Sequence, residues 1–214
     1  MTAIVAVVIF AAMGLGYWQE WAWMHAVDSW SLRVASSVGA GFSGWVTAWD
    51  VLCTLLGPMA FRIVGVVVII WLLLRRHVRA ALFLVFSVEL SGLVTEFAKL
   101  LADRPRPGSA MVYAYSTSFP SGHALGVMAA VLAFSTLLMP AVSTRWRVPL
   151  IVAGTAIVIL VGVGRVILNV HHPSDVVAGW ALGYLWYLAW MVMLRPIPAT
   201  TASAEIPAAP DNGR

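Results

Sequence analysis

Apolar runs of membrane length alternate along the chain with short segments that are charged, proline-containing or rich in tryptophan. Six such runs stand out, at residues 3–17, 58–74, 80–101, 123–139, 148–168 and 174–194. A bilayer core about 30 Å thick needs about twenty apolar residues per helix. The runs fit that length, the first being the shortest. The pattern predicts an all-α fold, a polytopic membrane bundle of about six transmembrane helices. No period of 20–50 residues recurs, so a repeat architecture is not expected.

The segments between the runs add detail. Residues 18–57 carry Trp18, Trp21, Trp23, Trp30, Trp45 and Trp49, and amphipathic rings of this kind favour the headgroup layer. Helical stretches lying along the outer interface are expected there. Residues 1–16 lack the basic stretch of a cleaved leader, so they read as a retained first helix. Residues 196–214, rich in Ala, Pro and Thr, are expected to form a disordered cytoplasmic tail. Residues 1–195 read as a single transmembrane domain.

Arginines orient the bundle. Arg75, Arg76 and Arg79 follow the second run, Arg145 and Arg147 follow the fourth, and Arg195 follows the sixth. By the excess of basic residues on cytoplasmic loops, these turns and both termini belong inside. Residues 18–57, 102–122 and 169–173 then share the extracytoplasmic side of the cell membrane.

Composition agrees with a lipid solvent. The chain is 61% hydrophobic and 10% charged, against about 25% charged for a soluble domain. Its net charge is +4, but the thirteen basic residues are scattered, which argues against a nucleic-acid footprint. Cys53 is alone, so no intramolecular disulfide or thiolate metal cluster is expected. It reads as a small apolar residue of a membrane segment.

Ionisable groups beside membrane helices are costly and point to function. Here they gather in three places that the topology puts on one face. The first runs from Lys99 through Asp103, Arg104, Pro105 and Arg106 to Pro107. Lys99 falls on the last turn of the third helix, which the prolines stop. Lysine and arginine offer donors without acceptors, which suits an oxyanion. The second is Pro120-Ser121-Gly122-His123 before an apolar run. Ser121 can cap the helix and Gly122 lets an anion approach the backbone, at a terminus whose N–H groups suit phosphate. The third contains Gly164, Arg165, Asn169, His171, His172, Pro173, Ser174 and Asp175. Pro173 starts a helix, which puts Asp175 in its first turn, four positions after His171. A carboxylate there can fix the imidazole tautomer and leave the other nitrogen nucleophilic. Metal binding by these histidines is the weaker reading, because the further acidic or thiolate ligands of a dimetal phosphatase are missing.

Together the clusters resemble the tripartite signature of the type-2 phosphatidic acid phosphatase superfamily: Lys-x6-Arg-Pro, then Pro-Ser-Gly-His, then Ser-Arg-x5-His-x3-Asp. They supply Lys99…Arg106-Pro107, Pro120-Ser121-Gly122-His123 and Arg165…His171…Asp175. The resemblance implies an integral-membrane lipid phosphatase that uses no cofactor. His171 would attack phosphorus, oriented by Asp175. His123 would protonate the leaving oxygen and then activate water against the phosphohistidine. Lys99, Arg106, Arg165, Ser121 and Gly122 would hold the phosphate oxygens. Gly164 departs from the pattern's Ser, so one hydroxyl contact is expected to be absent or replaced, weakening binding rather than chemistry.

Arg104 lies outside the pattern and reads as a contact to a second phosphate or to headgroups, or as a surface residue. Glu96, one turn before Lys99, can pair with it, and Glu89 reads as an interior acid. The expected partner is a lipid phosphate such as undecaprenyl pyrophosphate, phosphatidylglycerophosphate or phosphatidic acid. The first is preferred because the site faces outward. A lipid phosphotransferase of the same family is the close rival. A membrane transporter is the rival from another class, although charges at one face leave the midplane, where transporters bind, nearly empty.

Overall fold

Helix ends fall where backbone chemistry favours them. In the computed structural model, which describes residues 2–196, Pro58 and Pro173 each sit in the first turn of a helix, where the missing N–H has no intrahelical partner to lose. Ser121 caps another, its Oγ accepting from Ala124 N at 3.5 Å. The prolines after Lys99 do stop their helix: it ends at Ala102, and Asp103 turns into the left-handed region at φ 44°.

All regular structure among the described residues is helical: α1 Ala3–Trp18, α2 Ala22–Gly41, α3 Ser43–Leu55, α4 Pro58–Leu74, α5 Val78–Leu84, a π-helical turn Val85–Glu89, α6 Ser91–Ala102, α7 Gly122–Leu138, α8 Thr144–Ile167 and α9 Pro173–Leu194. Each of the six predicted runs coincides with helix. Four stretches are long and apolar enough to cross a bilayer: Gly44–Leu74, Val78–Ala102, Thr144–Ile167 and Pro173–Leu194. The pair α1 and α2, bent by 88°, passes together as a fifth. The chain is a multi-pass membrane protein. Apart from Pro196, the tail expected at 196–214 lies outside the described residues.

The tryptophan-rich segment departs from expectation. It forms two helices, and the second runs into α4 as one stretch of 31 residues, Gly44–Leu74. The predicted second span is therefore the latter half of a longer one.

α7 spans about 26 Å at 1.5 Å per residue, yet it is the most enclosed helix. Ala124, Leu125, Val127, Ala129, Ala130 and Ala133 are all 0% exposed. Its small residues admit neighbours on every side, as expected of a helix that is apolar all round. The closest neighbour is α9. A Cβ on Gly179 would lie 2.6 Å from Ser121 O, and one on Gly183 2.5 Å from Leu125 O. Two glycines four apart thus let the backbones touch, which is how membrane helices pack without a hydrophobic drive. Ser121 N also donates to Asp175 O at 2.9 Å, joining the first turns of α7 and α9.

The π turn breaks the α5–α6 span midway. Leu90 N reaches back five residues to Val85 O at 3.0 Å, and Trp186 Nε1 donates to the freed Phe86 O at 3.0 Å. One extra residue in a turn rotates everything after it. Here it sets the facing of Glu89, Ser91, Thr95 and Lys99.

Candidate active site

α3, α4, α6, α7 and α8, with the turn before α9, surround a cavity of about 680 Å³. Lys99, Arg106, Gly122, His123, Arg165 and His171 line it, so six of the eight residues singled out from the sequence meet there. The other two stand behind. Ser121 is fully buried and its hydroxyl is used in capping α7. Asp175 is also fully buried, behind His171.

Arg106 organises the wall. Its Nε donates to Ser116 O at 2.9 Å, Nη2 to Tyr115 O at 2.7 Å and Nη1 to Val170 O at 2.7 Å. One guanidinium thus pins two loops, and Nη1 also stands 3.3 Å from His171 Nε2. Lys99 is buried at the end of α6; its Nζ donates to Ser116 Oγ at 2.7 Å and lies 3.4 Å from Glu96. The pairing with Glu96 expected from their spacing is present. Arg165 is 6% exposed, and its Nε–H has no partner among the described residues. A buried donor of this kind is costly unless something accepts from it. An anion in the cavity would do so.

His171 is 2% exposed. Its Nδ1 faces Asp175 Oδ2 at 3.6 Å, longer than a closed hydrogen bond, while Nε2 faces Arg106 and the cavity. Burial pulls its pKa from 6.5 to about 4; Asp175 opposes that pull, and Arg106 and Arg165 add to it. The ring is therefore neutral at neutral pH, and when Nδ1 holds the proton the lone pair is on Nε2, with the Arg106 guanidinium beside it. His172 is placed differently. Its backbone N–H and ring Nδ1 approach Asp175 Oδ2 at 2.8 and 3.1 Å, closing the first turn of α9. Of the two, His171 lines the cavity and His172 does not.

Arg104 corrects the reading made from sequence. It is 3% exposed and touches neither solvent nor cavity. Nη1 donates to Asp175 Oδ1 at 2.6 Å and to Ser174 Oγ at 2.7 Å, Nη2 donates to Asp28 Oδ2 at 2.8 Å, and the guanidinium lies 4.8 Å from the Tyr17 ring. A surface role is excluded because two buried carboxylates hold it from behind the site. Asp28 went unnoticed in the sequence. It sits on α2, 2% exposed, and also accepts from Ser174 N at 3.1 Å and Ser174 Oγ at 2.6 Å. Asn169 is a second missed residue. Its Nδ2 lies within hydrogen-bond distance of Leu32 O, Ser36 Oγ and Ser109 Oγ, two N–H groups shared among three acceptors that tie α2 and the 103–121 loop to the turn before His171.

Gly164 has a packing reason. A Cβ there would lie 2.6 Å from Cys53 Sγ and 2.9 Å from the Trp49 ring. The space of the pattern's serine is filled by α3.

A 140-residue stretch is 35% identical to a lipid A 1-phosphatase of Rhizobium johnstonii, covering 60% of this chain and 52% of that protein. Phosphatidylglycerophosphatase B of Bacillus subtilis is 36% identical over 110 residues, with 50% and 53% covered. An undecaprenyl-diphosphatase of Sulfolobus acidocaldarius is 32% identical over 119 residues, with 52% and 54% covered. The chain spans about half the length of the curated relatives it matches. The fold is that of the crystal structure of the first transmembrane PAP2 type phosphatidylglycerolphosphate phosphatase from Bacillus subtilis. The TM-score is 0.76 at 21% identity, over 92% of this chain and 98% of that one. Residues 80–197, which hold all three clusters and the helices that bring them together, match the PAP2 superfamily as a family, and the chain belongs to it.

Proposed function

We propose that this protein removes phosphate from a lipid phosphomonoester or pyrophosphate through a phosphohistidine on His171. One observation carries the reading: a neutral, buried His171 turns Nε2 into a cavity walled by Lys99, Arg106 and Arg165. Phosphoryl transfer needs positioning and charge stabilisation more than covalent help from the protein. Three cations supply the charge, without a metal. The Gly122 N–H at the start of α7 adds a donor and a positive dipole end.

In the first step Nε2 bonds to phosphorus as the bond to the leaving oxygen breaks, and His123 gives that oxygen its proton. In the second, His123 takes a proton from water, which attacks phosphorus and breaks the P–N bond. Asp175 faces Nδ1 and favours the tautomer with Nε2 free. The names of the relatives, all acting on lipids, support a lipid substrate, and the positive-inside arginines support a site on the extracytoplasmic side.

The test is release of inorganic phosphate in detergent from a lipid diphosphate, phosphatidylglycerophosphate and phosphatidic acid. Wild type should hydrolyse at least one of them. His171→Ala should lose at least a thousandfold in turnover while keeping the wild-type unfolding temperature. Turnover within tenfold of wild type in that variant would remove His171 as nucleophile.

A further inference from the structure

The cavity does not end at the cations. It continues between α4 and α6 to Arg62, Glu89 and Ser91, which the chemistry above does not use. Direction follows from three helices at once. Along α7, Gly122 abuts Thr95 and Gly126 abuts Pro58 and Ser91, while on the α4 side Gly57 abuts His123. Moving from Gly122 to Gly126, from Thr95 to Ser91 and from Pro58 to Arg62 is the same step, one turn further into the bundle. The extension therefore lies beyond His123, on the side where its proton meets the leaving oxygen.

This end of the cavity is built rather than left over. A Cβ on Gly65 would lie 2.4 Å from Glu89 Oε1, and one on Gly92 2.7 Å from Arg62 Nη2. Glycines thus clear room for both side chains. The π turn puts Glu89 on this wall, and such turns concentrate at functional sites. Both groups are incompletely satisfied. Arg62 Nη2 reaches Ser91 Oγ at 3.5 Å, while Arg62 Nε and Glu89 Oε1 are buried without a partner among the described residues. Unused hydrogen-bonding capacity on charged groups inside a membrane helix bundle is expensive and points to a ligand.

Resting on the reading above, we propose that Arg62 binds a second phosphoryl group carried on the leaving side of the substrate. Its guanidinium can face that group while Glu89, about one turn deeper by the spacing of Arg62 and Gly65 on α4, keeps the arginine extended toward the cavity. The chemistry fits a lipid diphosphate, whose leaving group is itself a phosphate, and equally phosphatidylglycerophosphate, whose leaving group contains a phosphodiester. It does not fit phosphatidic acid, whose leaving group bears no second phosphorus.

The experiment compares kcat/KM of wild type, Arg62→Met and Arg62→Lys on those three substrates in mixed micelles. Arg62→Met should lose about 30-fold or more on the substrate with a second phosphoryl group and less than threefold on phosphatidic acid, with Arg62→Lys recovering part of the loss. A loss on the diphosphate alone identifies the diphosphate source; a loss on phosphatidylglycerophosphate alone identifies the phosphodiester. Equal losses on all three substrates, or none on any, overturn the subsite. Wild type that hydrolyses no lipid phosphate overturns the proposed function instead, so the two failures are distinguishable. If Arg62→Met does not fold, product inhibition of wild type and Glu89→Gln by inorganic pyrophosphate against phosphate decides. Wild type should prefer pyrophosphate by tenfold or more, Glu89→Gln should show that preference reduced, and no preference in wild type refutes the proposal.

Discussion

Replacing Asp28 tests whether the buried network behind the site positions it. The carboxylate accepts from Arg104 Nη2 at 2.8 Å, from Ser174 N at 3.1 Å and from Ser174 Oγ at 2.6 Å, and it is 2% exposed. Asp28→Ala removes all three bonds and leaves Arg104 with one carboxylate instead of two. Removing one partner of a buried ion pair costs about 3–5 kcal/mol. Because Asp175 still compensates Arg104, the lower end, about 3 kcal/mol, is expected. Asp28→Asn keeps the volume and one acceptor and should cost about 1–3 kcal/mol. Activity should fall as well, because Ser174 and Asp175 open α9 and Asp175 faces His171. A misplacement of about 1 Å can cost about a hundredfold in rate. Thermal unfolding in detergent measures the first effect, and phosphate release at saturating lipid, well below the unfolding temperature, measures the second. The expected signature is a kcat at least tenfold down with KM changed less than threefold. A kcat within threefold of wild type, or one that merely tracks the folded fraction, would show that the network stabilises without positioning.

Two other predictions concern single groups. In the proposed mechanism neutral His171 is the attacking form, so the acid limb of kcat/KM that His171 sets should lie near pH 4; an acid limb near 6.5 assigned to His171 would contradict its burial. The same displacement has a stability counterpart. The folded pKa lies below the unfolded one, so the unfolded chain takes up the proton first, and stability is present above about 6.5 and lost toward 4. The 6.5-to-4 difference amounts to about 3 kcal/mol. It should vanish from the pH dependence of His171→Asn, and equal slopes in the two proteins would refute it. Gly164→Ser should destabilise by about 1–3 kcal/mol through overpacking, since its Cβ would meet Cys53 Sγ and the Trp49 ring. Adding Cys53→Ala should recover part of the loss; strictly additive losses would mean the contact is not the cause.

What could be read from sequence was what is encoded locally. Apolar runs, a proline in a first helical turn, a serine cap and charges at helix ends each depend on neighbours a few residues away. The cavity-lining cations and both histidines belong to such local signals. Asp28 does not. It lies 76 residues from Arg104 and 146 from Ser174, within a tryptophan-rich helix whose composition resembles an interfacial surface. Only packing makes it buried. Arg104 was misread for the same reason: a basic residue after a helix end snorkels by default, and nothing local says that two carboxylates wait inside. The π turn was hidden because one added residue leaves a largely apolar run looking continuous. Gly179 and Gly183 did carry a signal in their spacing of four, since small residues so spaced mark close helix contact.

That glycine pair bears on why the site is rigid. The two histidines come from the first turn of α7 and the turn before α9, and neither depends on a long loop for its place. Gly179 and Gly183 press α9 onto α7, Ser121 N bonds Asp175 O across the two starts, and Arg106 clamps the carbonyls of both adjoining loops. Any change that separates α7 from α9 therefore moves the proposed nucleophile and proton donor apart. Chemistry that relies on fixed charge around a transferring phosphoryl group requires such a frame, because dipoles that must reorganise during the reaction stabilise less than dipoles already in place. Membrane helices pressed backbone to backbone at two glycines are the base of that frame.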